Sequence, residues 1–218
     1  MTVSRTRWAA IAALLMGTAG SVQSQQPRIA GQDQVASDMA RRVRQAIRTD
    51  PVAPDVAPKG ADVTIVLFSD YNCPYCRKVH PALQALLRED PKIRLLYRDW
   101  PIFGGASTEA ARAAIAAEFQ GKHAAFNDAL MTAQGKLDSA AIRGAANRAG
   151  VDWTRLQKDL TARRQDIDAT LGRSDRYARM LGLTGTPGLL IGPYLLPGAV
   201  GVAELRKVIA AVRAKPEG

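Results

Sequence analysis

Two cysteines three residues apart constrain this chain most, since its 218 residues contain no others. Cys73 and Cys76 follow an apolar run, 63–68, that predicts a buried strand, and they precede apolar residues at helical spacing. Cys73 is therefore predicted at the start of a helix, with Pro74 in the first turn, where a missing N–H costs little. There the free N–H groups and the helix dipole favour a thiolate, which makes Cys73 the predicted nucleophile.

Cys76 lies one helical turn after Cys73 on the same face, close enough to form a disulfide with it. Such a pair can exchange its disulfide with the thiols of other proteins. We therefore predict a redox-active dithiol that needs no bound cofactor, only a redox partner that resets it.

Residues 1–24 have the features of a secretion signal. Arg5 and Arg7 supply a basic region, residues 8–16 form a short apolar core, and residues 22–24 offer a cleavage site. An uncleaved anchor is the alternative, although this apolar core is short for a spanning helix. Export would place the dithiol in an oxidising compartment, so we expect a periplasmic protein.

The net charge of +10 makes nucleic acid or an anionic membrane conceivable partners. The basic residues are spread along predicted helices with acidic residues between them, and no platform of basic and aromatic residues stands out. We therefore expect an ordinary solvated surface and no nucleic-acid partner.

Residues 25–58 are predicted to form an N-terminal arm, with a helix over 28–48 followed by a proline-rich linker that ends before Lys59. The apolar residues of the helix recur every four positions on one narrow face: Val35, Met39, Val43 and Ile47. Such a face fits docking on the chain's own domain or on a second copy, which would make a homo-oligomer.

Residues 59–218 follow an α/β order. The cysteine helix lies between predicted strands at 63–68 and 93–98, an order that implies a parallel pair with a right-handed crossover. A helical insertion follows over about 105–183, and the sheet then resumes. Five helices are predicted in this insertion, with breaks at four glycines: Gly121, Gly135, Gly150 and Gly172.

Two short strands are predicted after the insertion, at 189–191 and 194–196, and they are expected to pair in an antiparallel manner. A final helix is predicted from 202 to 214, with its apolar residues facing inward.

Several of these segments resemble the thioredoxin-like disulfide oxidoreductases of the DsbA type, and most closely their Com1-like and ScsC-like branch. They are Asp-Tyr-Asn-Cys-Pro-Tyr-Cys at 70–76, Arg-Asp-Trp-Pro-Ile-Phe-Gly at 98–104, Gly-Thr-Pro at 185–187 and Pro-Gly-Ala at 197–199. The resemblance covers about residues 50–212. It implies a thioredoxin-like fold with a helical insertion, preceded by an N-terminal helical arm.

The resemblance also implies roles for individual residues. Cys73 would be the exposed nucleophile and Cys76 the buried resolving thiol, with Pro74 and Tyr75 supporting the site. Pro187 would be a cis-proline beside the disulfide, and the Thr186 backbone would pair with an extended client peptide, as in strand addition. Without the resemblance, Pro187 would predict an ordinary trans turn.

Two positions depart from the family's pattern. Leu67 stands six residues before Cys73, where related proteins often carry a buried acid that assists proton transfer at the resolving thiol. Asp70 is a candidate substitute, although capping the loop before the helix is its simpler role. Tyr75 places no cation between the cysteines, so we expect the helix N-terminus to be the chief support of a Cys73 thiolate.

A metal site is one competing interpretation, because His80 and His123 could join the two cysteines. Two thiolates need further ligands for a closed site, and the chain has only these two histidines. We therefore predict no metal, with His80 as an ordinary polar residue and His123 as a cap or a solvent-facing residue.

Two further interpretations remain. A purely structural disulfide closed over two residues would constrain the unfolded chain little. A chaperone or binding module that uses the insertion as its surface is also open. Separately, Tyr71, Trp100 and Phe103 could line a hydrophobic groove near the disulfide that suits unfolded clients. Core packing is nevertheless preferred for Trp100 and Phe103.

We therefore predict a periplasmic thiol–disulfide oxidoreductase that exchanges disulfides with exported proteins through Cys73 and Cys76. An oligomeric disulfide isomerase or reductase of the same fold is the alternative. The motif does not set the direction of exchange, which depends on the relative stability of the two redox forms.

Overall fold

The computed structural model describes residues 32–215, with side chains placed from Ser37 onward. The predicted secretion signal at 1–24 lies outside the described residues. The described elements, in chain order, are α1 (Gln32–Arg48), β1 (Asp55–Val56), β2 (Val63–Ser69), α2 (Pro74–Glu89), β3 (Ile93–Asp99), α3 (Gly105–Glu118), α4 (His123–Met131), α5 (Ser139–Arg148), α6 (Trp153–Ala162), α7 (Arg164–Met180), β4 (Gly188–Ile191), β5 (Tyr194–Pro197) and α8 (Val202–Ala214).

The five strands form one mixed sheet in the order β1-β3-β2-β4-β5. The predicted parallel pair is confirmed, since β2 and β3 are parallel, and β4 and β5 continue the sheet as antiparallel strands. Helices cover both faces, so β2 is apolar at nearly every position. Ile65 and Leu67 pack with α2 and α8, whereas Val66 and Phe68 pack with α7 and the end of α1.

The helical insertion, α3 to α7, has a core of its own that also contains Cys73 and Cys76. Gly121, Gly135 and Gly150 break the chain as predicted, each with a positive φ that other residues rarely adopt. The predicted break at Gly172 is wrong, because this glycine lies inside α7. The helix boundary falls instead at Arg163, which no glycine or proline marks.

The proline-rich segment expected to be a linker is packed on the domain. Its residues 55 and 56 form β1, which pairs antiparallel with β3, and the Tyr97 N–H donates to the Pro54 carbonyl at 2.8 Å. On α1, Ile47 is fully buried against the chain's own domain, whereas Met39 is 59% exposed. The last turn of α1 therefore docks on its own domain. The side chain of Val35, the first residue of the predicted apolar face, is not among the described side chains.

A buried arginine fastens this N-terminal segment to the sheet. The side chain of Arg98, on β3, is 0% exposed and donates to Asp50 Oδ2 and to the Ile47 carbonyl, both at 2.8 Å. Arg173 of α7 donates to the same Asp50 oxygen at 3.1 Å. Burial raises the pKa of Asp50, but the hydrogen bond from Arg98 and other contacts outweigh burial and hold it below its usual value. Asp50 is therefore a charged link between α1, β3 and α7.

Within residues 32–215, no helix combines the length and the apolar character that crossing a bilayer requires.

Candidate active site

Cys73 is positioned by the junction of β2 and α2. The strand ends at Ser69, a short loop follows, and Cys73 is the N-cap residue of α2 with extended backbone angles (φ −83°, ψ 118°) and Pro74 in the first turn. Its carbonyl accepts the N–H of Arg77 at 3.2 Å, which begins the helix. The predicted placement of this cysteine at a helix N-terminus is therefore observed, where the helix dipole favours negative charge on its sulfur.

The segment before β4 faces Cys73 from the other side. The Thr186–Pro187 peptide bond is cis, as the resemblance implied. The Cys73 thiol donates to the Thr186 carbonyl across 3.3 Å, which joins residues 113 positions apart. Cys73 is only 1% exposed, so the expectation that it would be the exposed cysteine is wrong. The insertion and the Thr186 segment cover it, two elements that local sequence patterns do not bring together.

Cys76 lies one turn along α2 and is also buried as a free thiol. Its sulfur accepts the Asp70 N–H at 3.5 Å. Burial raises the pKa of the Cys76 thiol to about 12. Leu67 is buried in the sheet between Tyr97 and Leu189, and among the described residues no carboxylate is hydrogen bonded to Cys76. The Cys76 thiol is thus protonated at neutral pH.

The high pKa of Cys76 predicts how fast it resolves a mixed disulfide held on Cys73. Only the thiolate attacks, and the thiolate fraction of a group with a pKa of about 12 rises about tenfold per pH unit below that value. We expect the resolution rate to rise about tenfold per unit from about pH 7 to about pH 10. Stopped-flow release of a chromogenic thiol from Cys73 measures this rate. A rate that levels off near pH 8 would contradict a buried, high-pKa Cys76.

Asp70 joins the cysteine loop to the loop that follows β3. Its Oδ1 accepts the Asn72 N–H at 2.7 Å, and its Oδ2 accepts the N–H groups of Ile102 and Phe103 at 2.6 and 3.0 Å. The carboxylate is buried, and both of its oxygens bind backbone donors. This geometry agrees with the capping role predicted for Asp70 rather than with proton transfer to Cys76.

Exposed apolar side chains lie in the first turn of α2 and in the loop after β3, and we call them the apolar rim: Tyr75, Ile102 and Phe103. Tyr75 is 62% exposed and Phe103 is 49% exposed, so the preference for core packing of Phe103 is wrong. Asp70 holds the Phe103 backbone at the surface, a long-range contact without a local signal. Trp100 is buried as predicted, and it donates to Asp175 of α7 at 3.1 Å.

A cleft of about 590 Å³ opens beside the cysteine loop, between α2 and the segment after α4. Asn72 and Pro74, which flank Cys73, line one side, and residues 131–135 line the other. Arg77 spans the cleft by donating to the carbonyls of Tyr71 and Ala133. The cleft therefore leads directly to the two neighbours of the predicted nucleophile.

Both histidines are buried and bound to aspartates rather than to the cysteines. His80 Nε2 lies 2.8 Å from Asp128 Oδ1, and His123 Nε2 lies 2.8 Å from Asp99 Oδ2. The expectation that His123 would cap a helix or face solvent is wrong, because β3 supplies a buried carboxylate that its own helix does not reveal. Over residues 32–215, no three His, Cys, Asp or Glu residues cluster closely enough to hold a metal ion.

Comparison with known proteins agrees with this geometry. A family model described as Thioredoxin matches residues 58–211, which is more than half of the chain. A thioredoxin-like oxidoreductase from Silicibacter pomeroyi is 40% identical, with a TM-score of 0.74 over 78% of this chain and 98% of its own.

Two further solved structures carry more specific descriptions. The catalytic domain of Proteus mirabilis ScsC is 28% identical, with a TM-score of 0.71 over 84% of this chain and 98% of its own. The thiol–disulfide exchange protein α-DsbA2 of Wolbachia pipientis is 27% identical, with a TM-score of 0.75 over 85% of this chain and all of its own.

A curated relative, the Na⁺/H⁺ antiporter NhaA 3 of Salinispora tropica, is 31% identical over 77% of this chain. The chain spans only about a quarter of the length of the curated relatives that it matches, so this similarity concerns one part of those proteins. Fold, cysteine geometry and structural neighbours agree: the chain belongs to the thioredoxin family and is similar in structure to disulfide oxidoreductases of the DsbA and ScsC type.

Proposed function

We propose that this chain exchanges disulfides with exported proteins in the periplasm, using Cys73 and Cys76 as its redox pair. The proposal depends on one observation, which is that three features of the site lie together at the Cys73 sulfur. The Cys73 sulfur lies at the N-terminus of α2, within 3.3 Å of the Thr186 carbonyl and one turn from a second thiol. The signal-like features of residues 1–24 support export.

As an oxidant, the protein begins with a Cys73–Cys76 disulfide. A client thiolate attacks the Cys73 sulfur, the disulfide breaks, and Cys76 leaves with the electron pair and takes a proton from solvent. A second client thiolate then attacks the client sulfur of the mixed disulfide and releases the Cys73 thiolate. The client loses two electrons, the cysteine pair gains them, and a redox partner restores the disulfide.

As a reductant or isomerase, the protein begins as a dithiol. The Cys73 thiolate attacks a client disulfide and forms a mixed disulfide, releasing one client thiolate. Cys76, once deprotonated, attacks Cys73 and releases the client, or the client rearranges first. The direction in the cell depends on the relative stability of the two redox forms and on the redox partner.

Client recognition would use the apolar rim and the Thr186 segment together. An unfolded client exposes apolar side chains, which the rim residues Tyr75, Ile102 and Phe103 can cover. An extended client strand could pair with the Thr186 backbone beside Pro187. This arrangement would bring a client cysteine to the Cys73 sulfur without requiring a particular client sequence.

A second candidate is an oligomeric isomerase or reductase of the same fold. The observation in its favour is Met39, which is 59% exposed on α1 while Ile47, two turns later, is docked on the domain. We propose that the part of α1 before Val43 is the surface through which a second copy would associate. Sedimentation equilibrium of the mature chain separates this candidate from a monomeric enzyme.

The proposed function is tested by mixing the oxidised protein with a reduced, unfolded protein that contains two cysteines. We expect the client to gain one disulfide for each Cys73–Cys76 disulfide lost. Phe103→Ser should raise the client concentration at half-maximal rate about fivefold, since partial burial of a phenylalanine contributes about 1 kcal/mol. Reaction of this variant with glutathione should be unchanged.

Tyr194→Ser is the matched control, because Tyr194 is an exposed aromatic residue at the other end of the sheet from Cys73. It should behave like the unmodified protein. Client oxidation no faster than that achieved by glutathione disulfide alone would contradict the proposed function.

A further inference from the structure

A chain of buried polar side chains lies behind the cysteine loop. The Tyr71 hydroxyl donates to Asp99 Oδ1 at 2.7 Å, and His123 Nε2 donates to Asp99 Oδ2 at 2.8 Å. Asn127 Nδ2 donates to the Tyr71 hydroxyl at 3.2 Å. All four residues are buried, and we call them the Tyr71–Asp99–His123 chain.

These contacts join three separate parts of the fold. Tyr71 belongs to the cysteine loop, two residues before Cys73, and its backbone carbonyl accepts the Arg77 Nε at 3.2 Å. Asp99 is the last residue of β3, and His123 begins α4 of the helical insertion. The insertion therefore reaches the loop of the nucleophile through hydrogen bonds as well as through apolar packing.

The Tyr71–Asp99–His123 chain is polar, and it lies in surroundings where apolar residues would pack at lower cost. Burial and the neighbouring Asp99 raise the pKa of Tyr71 well above its usual value, so its hydroxyl remains a donor. The His123 ring centre lies 4.7 Å from that of Tyr97, and within the described residues His123 Nδ1 has no hydrogen-bond partner. A buried ring nitrogen without a partner, next to hydrogen-bonded polar groups, is not explained by packing alone.

We propose that His123 and Asp99 are positioning residues of the Cys73–Cys76 site, because His123 orients Asp99 and Asp99 fixes the Tyr71 side chain at the base of the cysteine loop. This inference rests on the proposed function. It assigns to the helical insertion a part in setting the redox equilibrium of the cysteine pair, beyond offering a surface to clients.

The stability of the two redox forms should depend on the Tyr71–Asp99–His123 chain to different degrees. In the disulfide form, the covalent bond to Cys76 already ties Cys73 to α2. In the dithiol form the Cys73 backbone still begins α2, but its side chain is held only by its bond to the Thr186 carbonyl and by packing. Loss of the Tyr71 anchor should therefore destabilise the dithiol more than the disulfide and shift the equilibrium toward the disulfide.

The test measures the disulfide fraction at fixed ratios of reduced to oxidised glutathione, together with the melting temperature of each redox form. We expect Tyr71→Phe and His123→Leu to shift the equilibrium constant toward the disulfide about fivefold, since one buried hydrogen bond contributes about 1 kcal/mol. His123→Gln keeps an amide donor for Asp99 and should restore the equilibrium of the unmodified protein. Ile142→Val is the matched control, because it removes one buried methylene from the same insertion without touching the chain.

A purely structural role predicts a different pattern and would overturn the inference. In that case Tyr71→Phe and His123→Leu would lower both melting temperatures equally and leave the equilibrium constant within about twofold of its original value. A shift by Ile142→Val as large as theirs, a shift toward the dithiol, or a failure of His123→Gln to restore the equilibrium would also overturn it. Failure of the unmodified protein to equilibrate with glutathione would instead contradict the proposed function, and this inference would fail with it.

Discussion

Replacing Cys73 by alanine is expected to reduce disulfide exchange to the rate of the uncatalysed reaction. Cys73 is the cysteine at the α2 N-terminus and beside the Thr186 carbonyl, so we expect the bond to a client to form at its sulfur. Cys76 cannot substitute, because burial raises its pKa to about 12 and keeps it protonated at neutral pH. The loss should therefore be complete rather than partial.

Cys76→Ala is the matched variant and should have the opposite signature. It leaves the nucleophile in place and removes the thiol that resolves the mixed disulfide, so client adducts on Cys73 should accumulate to near stoichiometry. Non-reducing electrophoresis and mass spectrometry with a disulfide-containing client count these adducts. Adducts on Cys73→Ala, or none on Cys76→Ala, would reverse the roles assigned to the two cysteines.

Arg98→Met is expected to lower the free energy of unfolding by about 3 kcal/mol. Removing one partner of a buried ion pair leaves the other charge uncompensated, which costs about 3–5 kcal/mol. Arg173 still contacts Asp50, so the lower end of that range is expected. The Ile47 carbonyl at the end of α1 also loses its donor, so the N-terminal segment should loosen from the sheet.

Arg206→Met is the control for the loss of an arginine as such. Arg206 pairs with Glu89 on the surface, with about half of each side chain exposed, and such pairs contribute about 0–1 kcal/mol. Urea unfolding of the two variants, followed by circular dichroism, gives both values. Equal losses in the two variants would contradict a specific anchoring role for Arg98.

The sequence predicted those parts of the site that are built from residues close together along the chain. A strand, two cysteines one turn apart and a proline in the first turn belong to one continuous stretch, and the structure places Cys73 at the N-terminus of α2 as expected. The glycines that need a positive φ also marked their breaks, as Gly121 and Gly150 do. The pairing of β2 with β3 followed from the strand–helix–strand order.

The sequence failed where a partner comes from far along the chain. Phe103 was expected in the core, but the Asp70 carboxylate binds its backbone N–H and its side chain is exposed. His123 was expected to cap a helix or face solvent, but β3 supplies Asp99 in the interior. Cys73 was expected to be exposed, but Thr186 covers it from 113 residues away. Periodicity reports which face of an element is apolar, not which distant polar group meets it.

The most direct test of the central claim is the redox equilibrium of the protein with glutathione, read as the fraction of Cys73–Cys76 disulfide. We predict a single two-electron transition with a potential between about −270 mV and about −120 mV, the range of known thioredoxin-like proteins. A value near the upper limit indicates a disulfide donor, and a value near the lower limit a reductase or isomerase. Absence of a Cys73–Cys76 disulfide at every glutathione ratio would contradict the account.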